Sequence, residues 1–114
     1  MIRKKSEVPL LQFDNCHDGK GTVDCMAMLH GEDSQLGFSL FHHDVIPPGT
    51  SIGEHLHTNT EEIYFLLSGD CVLLYDGTRT DMQAGDFSIV NCGHSHGIIN
   101  VGDTPAELIV VEIK

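Results

Sequence analysis

Positive charge is scarce in this chain. Six Lys and Arg stand against 17 Asp and Glu, giving a formal net charge of −11 over 114 residues. A surface that acidic repels nucleic acid and anionic membranes, so neither is expected as a partner. Long apolar runs are missing too, and none approaches the length of a transmembrane helix. The start Met1-Ile2-Arg3-Lys4-Lys5 has the basic character of a signal peptide, but Val8-Pro9-Leu10-Leu11 is too short for its hydrophobic region. A cytoplasmic address is therefore expected. The four cysteines, Cys16, Cys25, Cys71 and Cys92, lack C-x2-C spacing, so free thiols in or near strands are expected rather than a thiolate metal site or a disulfide framework.

Sustained helical periodicity is also lacking. Twelve Gly and four Pro punctuate short apolar segments throughout, the pattern of an all-β sandwich or barrel in a single domain. The expected strands are Val23 to Leu29, Phe38 to Ile46, Glu62 to Leu67, Cys71 to Tyr75, Asp86 to Val90, Gly97 to Val101 and Glu107 to Ile113. Asp76-Gly77 marks a hairpin, and Ser68-Gly69-Asp70, Ala84-Gly85-Asp86 and Gly102-Asp103-Thr104-Pro105 mark further turns. Residues 1–22 carry the weakest pattern and read as an N-terminal segment ahead of a barrel over 23–114, with a loop at Asn15 to Gly21.

What the chain does have is a set of metal-ligand residues on two glycine-marked segments. The first is Gly49-x5-His55-x-His57-x4-Glu62-x6-Gly69, and the second is Gly85-x7-Gly93-x2-His96-x3-Asn100. In a strand, side chains alternate faces, so His55 and His57 point to one side and converge on one ion. Glu62 opens the apolar run Ile63 to Leu67, where a carboxylate is costly unless paired or coordinated. Three imidazoles and a carboxylate form a nitrogen/oxygen shell for one divalent transition metal, with Zn, Fe, Mn, Ni and Cu all compatible. Glu61 competes for the carboxylate position, but only Glu62 also satisfies the x6 spacing to Gly69. If Glu62 faces inward, Tyr64 and Leu66 share its face, while Ile63, Phe65 and Leu67 form an outer apolar row. By the same parity, Ile98 and Asn100 accompany His96.

These two segments resemble the paired motifs of the cupin family, G-x5-H-x-H-x(3,4)-E-x6-G and G-x5-P-x-G-x2-H-x3-N. The match covers roughly residues 36 to 112, and Asn91 stands at the proline position of the second motif. The resemblance implies a double-stranded β-helix, or jelly-roll barrel, holding one metal on His55, His57, Glu62 and His96. It also favours a homodimer, because the outer apolar row needs covering by the N-terminal segment or a second subunit.

Four protein ligands leave about two positions on a six-coordinate ion for a small-molecule ligand or substrate. Relatives with this ligand set include dioxygenases, decarboxylases, lyases and isomerases, together with proteins that only bind. The first expectation is a metalloenzyme acting on an oxygen-rich small molecule such as a hydroxy, keto or enol acid or a diol. The alternative is a non-catalytic ligand-binding or sensor barrel. Only Arg79 among the basic residues lies in the matched region, so phosphorylated substrates are not expected. Tyr64 and His94 are the acid/base candidates. Parity admits only one of His42 and His43 to the cavity, His17 and His30 are expected in solvent, and Cys92 is the thiol nearest the metal loop.

Overall fold

The structure, a computed structural model, describes all 114 residues. Ten strands run in order: β1 (Leu10–Asp14), β2 (Thr22–Ala27), β3 (Phe38–Ile46), β4 (Ser51–Leu56), β5 (Glu61–Ser68), β6 (Asp70–Tyr75), β7 (Thr78–Gln83), β8 (Phe87–Val90), β9 (Ser95–Asn100) and β10 (Ala106–Ile113). One sheet has the order β1-β2-β3-β10-β5-β8 and the other β4-β9-β6-β7, and every pairing is antiparallel. The only helical pieces are short 3-10 turns at Lys5–Glu7 and Cys16–Asp18. No helix is long and apolar enough to cross a membrane.

The inner faces of the two sheets meet in a core that includes Val23, Ile46, Ile52, Tyr64, Leu66, Ile98 and Leu108. In β5 the inward set Glu62, Tyr64 and Leu66 is buried while Phe65 and Leu67 are exposed. In β9, His96, Ile98 and Asn100 are buried together. Both strands follow the parity expected of them.

Three strands go beyond the expected set. Thr78–Gln83 forms β7 as the return arm of the Asp76-Gly77 hairpin, yet its polar sequence buries only Met82. Ser51–Leu56 forms β4, which carries His55. Leu10–Asp14 forms β1 and adds to the sheet edge beside β2. That strand has no buried residue, so its sequence has no alternation to read. The N-terminal segment therefore extends one sheet and closes over the cavity end, leaving the row at Phe65 and Leu67 uncovered.

A bulge in β4 sets the site. Ile52 pairs with Ile98 and His55 with His96, so Gly53 and Glu54 together oppose Gly97. The extra residue changes the strand's parity, which lets Ile52 and His55 face the same interior. Glycine is required on both sides of this contact. A Cβ on Gly97 would lie 2.6 Å from the Ile52 carbonyl oxygen, and one on Gly53 would collide with the carbonyl oxygen of His17. Ser51 N–H donates to the Lys20 carbonyl, and Lys20 N–H donates to Ser51 Oγ, each at 2.8 Å, tying the 16–20 turn to β4. Gly53→Ala should accordingly cost about 1–3 kcal/mol, the usual range for overpacking. It should lower the melting temperature and speed proteolysis of the N-terminal segment, whereas unchanged melting and cleavage would remove the bulge clamp.

Candidate metal centre

Four side chains gather where β4, β5 and β9 meet. His55, His57, Glu62 and His96 each offer a ligand atom, and these atoms lie within 4.8 Å of one another. His57 Nε2 is 3.1 Å from His96 Nε2, and Glu62 Oε1 is 2.9 Å from His96 Nε2 and 3.7 Å from His57 Nε2. Bonds of about 2.1 Å to a shared ion place adjacent ligand atoms roughly 3.0 Å apart, so these separations fit one cation.

The outer nitrogens fix the ring orientations. His55 Nδ1–H donates to the Gly53 carbonyl and His57 Nδ1–H to Thr60 Oγ1, each at 2.7 Å. Both rings then present a bare Nε2 to the centre, the arrangement that supports metal-bound histidines. The His57 main chain is held as well: its N–H donates to the His94 carbonyl at 3.0 Å, and its carbonyl accepts from Gly93 N–H at 2.7 Å. Tyr64 stacks on His96 with ring centroids 4.0 Å apart, and His96 Nδ1 is buried without a partner.

Electrostatics favour neutral donors awaiting a cation. Burial pushes the imidazoles of His55 down to about 4 and His96 to about 3. Burial pushes the Glu62 carboxyl up to about 7, with His57 opposing the rise and Glu112 adding to it. A bare imidazole nitrogen facing another at 3.1 Å is repulsive unless a proton or a metal lies between them. His96 Nε2–H satisfies the centre by donating to Glu62, and a cation bound there would take the place of that proton.

The centre opens into a cavity of about 760 Å³. Tyr64 and Glu112 line it, and no Lys or Arg does. Glu62 proves to be the inward carboxylate, while half-buried Glu61 accepts a hydrogen bond from Asn91, the residue at the proline position of the second motif. His94 lies outside this lining, its exposed ring 2.6 Å from Asp76. Tyr64 is fully buried, and burial holds its hydroxyl far above the ordinary range, so it can donate a proton bond but cannot serve as a base. Of the adjacent histidines, His42 faces the cavity and His43 pairs outside with Glu107 at 3.0 Å. Cys92 is exposed, with its Sγ 3.5 Å from the Thr60 carbonyl. Asn100 is structural, donating to the Ile46 and Thr104 carbonyls and accepting from Gly102 N–H.

Two residues beside the centre escaped the sequence reading. His17 keeps an exposed edge as expected, yet its ring stacks on His55 at 3.7 Å and roofs the cavity. Glu112, directly opposite Glu62 across β10 and β5, brings its carboxylate to 3.7 Å from His57 Nδ1. Inward parity along β10 was the one available signal for Glu112. His17 had none, because it sits in a turn with φ of 50°.

Two antiparallel sheets packed around a three-histidine, one-carboxylate cluster define an all-β class with a candidate metal centre. The chain belongs to the cupin family, whose domain pattern matches residues 42–112. It is 34% identical over 113 residues to an oxalate-binding protein of Thermotoga maritima, covering 99% of this chain and 93% of that protein. The crystal structure of a predicted oxalate decarboxylase from Thermotoga maritima superposes with a TM-score of 0.93 at 34% identity, over 99% of this chain and 98% of that one. A Cupin 2 conserved barrel domain protein from Salinispora arenicola superposes with a TM-score of 0.77 at 24% identity, covering 100% and 88% of the two chains. At that identity the likeness is one of fold.

Because a protonated Glu62 cannot ligate, metal binding must displace its proton. Affinity should fall about tenfold per pH unit below about 7 through this residue alone and level off above it. Competition with a chelator across that range measures the slope, and a flat profile would contradict the assignment of Glu62 as a ligand.

Proposed function

We propose that this chain binds a small oxygen-rich acid of the oxalate kind on a divalent transition metal held by His55, His57, Glu62 and His96. The observation carrying this reading is the convergence of four donors in a cavity wall without Lys or Arg. An anionic ligand has no cationic side chain to meet there, so the ion must supply the charge that anchors its oxygens. The protein's own part is orientation and exclusion. Gly53 and Thr60 aim two imidazoles, Tyr64 backs the third, and His17 with residues 12–16 screens the centre from water. Likeness to an oxalate-binding protein along nearly the whole chain supports the ligand class.

Turnover of that ligand is the second reading. It is favoured by the protonated Tyr64 hydroxyl on the cavity residue behind His96 and by likeness to a predicted oxalate decarboxylase. His94 contributes through its main chain, which braces His57. Titration calorimetry on metal-loaded protein should show oxalate binding that is lost in the metal-stripped protein and in His57→Ala. Absence of heat with oxalate and with a panel of hydroxy and keto acids would overturn the reading. Carbon dioxide or altered ligand after long incubation would establish turnover, and unchanged ligand would establish binding alone.

We further infer a cytoplasmic homodimer. Four free thiols suit a reducing compartment. On the outer face of the larger sheet, Phe65 pairs with Phe87 and Ile63 with Ile89, and Phe65, Leu67, Phe87 and Ile89 are exposed. A contiguous apolar stripe of this kind is covered most simply by its own copy. Light scattering should give a dimer mass for the native chain and a monomer mass for Phe87→Glu; a native monomer would rule the dimer out.

A further inference from the structure

Three further side chains converge on the inner face of the larger sheet, outside the three-histidine centre. Cys25 on β2 lies directly opposite Asp44 on β3, and His42 sits two residues before Asp44 on the same face. Their sulfur, oxygen and nitrogen atoms lie within 4.8 Å of one another. Cys25 is 0% exposed and Asp44 5%, while half-buried His42 joins Asp44 in lining the cavity.

The bonding here is incomplete. Asp44 Oδ1 is buried with no hydrogen-bond partner. Its nearest basic atom, His42 Nδ1, is 3.9 Å away, beyond hydrogen-bonding distance. An orphaned buried carboxylate oxygen is costly, and the acidic cavity offers no Lys or Arg to relieve it. A separation that is too long for a hydrogen bond is close to that of two ligands on one ion. Around a tetrahedral metal with bonds of about 2.0–2.3 Å, ligand atoms stand roughly 3.3–3.7 Å apart. Closing by a few tenths of an ångström would bring the His42 and Asp44 atoms to that spacing.

We propose that Cys25, His42 and Asp44 form a second metal site, suited to a thiophilic divalent ion such as zinc, with its open position facing the shared cavity. One thiolate, one imidazole and one carboxylate with a free fourth position is the donor set of a three-ligand zinc centre. Binding deprotonates the Cys25 thiol and forms a sulfur–metal bond, releasing the proton to solvent. Burial opposes this, and the Asp44 carboxylate beside the thiol adds to the opposition. Together they raise the thiol above its ordinary range, burial lifts the Asp44 carboxyl to about 6, and an adjacent cation reverses both effects. The site does not depend on which ligand the first centre takes.

Cobalt titration of the full chain in a Cys92→Ser background tests this, because the first centre has no sulfur donor. Binding should saturate at about two ions per chain, one of them giving a thiolate-to-cobalt charge-transfer band in the near ultraviolet. Cys25→Ser and Asp44→Asn should each lose the band and one ion, while His57→Ala should lose one ion and keep the band. Saturation at one ion without the band would overturn the site. So would a band lost in Cys16→Ser but retained in Cys25→Ser, which would assign the sulfur to Cys16, the thiol that lines the cavity. Should Cys25→Ser fail to fold by circular dichroism, the stoichiometry and spectrum of the Cys92→Ser protein decide alone.

Discussion

The structure is organised around imidazole nitrogens crowded onto one centre. His57 and His96 hold their Nε2 atoms 3.1 Å apart, and the outer hydrogen bond of His57 removes the simplest escape, which is to turn that ring over. Thr60 holds one edge of His57, the Gly53 carbonyl fixes His55, and Tyr64 stacks behind His96. Three rings so braced cannot relax individually, so the electrostatic demand falls on whatever occupies the centre. A proton shared with Glu62 meets part of that demand, and a divalent cation would meet all of it.

The bulge at Gly53 is the backbone counterpart of this constraint. Alternation alone predicts that His55 and His57 share a face, and they do. It cannot say which face, because Ile52 is also buried and stands at odd separation from His55. Only an inserted residue reconciles the two, and the same insertion creates the groove that admits the His17 carbonyl. The turn that carries His17 is therefore coupled to the site geometrically, and its ring comes to rest on His55 as a consequence.

This separates what the sequence could reveal from what it could not. Glu62 was separable from Glu61 because a fixed spacing to Gly69 and inward parity with Tyr64 and Leu66 agree, and the structure turns Glu61 aside to Asn91. The β5 face was equally legible, since that strand alternates cleanly, and in β9 the expected set His96, Ile98 and Asn100 is buried although Gly97 between them is buried too. β1 was hidden because it is an edge strand with every residue exposed. His94 was named as an acid/base candidate beside Tyr64. It precedes β9, however, and Asp76 captures its ring at the surface. Contacts made by turns and by strands distant in sequence leave no period to detect.

The acidic cavity makes charge the selector of occupants. Asp14, Asp44, Glu62 and Glu112 line it, with histidines as the only basic groups. Raised carboxyl values at Glu62 and Asp44 express the same strain at two places, one beside a three-histidine cluster and the other beside a lone histidine and a thiol. A single divalent ion at the first centre would offset Glu62 and one neighbouring charge, which would leave Asp44 to be relieved by protonation or by a cation of its own. The remaining acids then disfavour a ligand with a free second carboxylate projecting beyond the ion. An anionic ligand fits best when its charged oxygens are gathered at the metal and its other end is neutral or a hydrogen-bond donor.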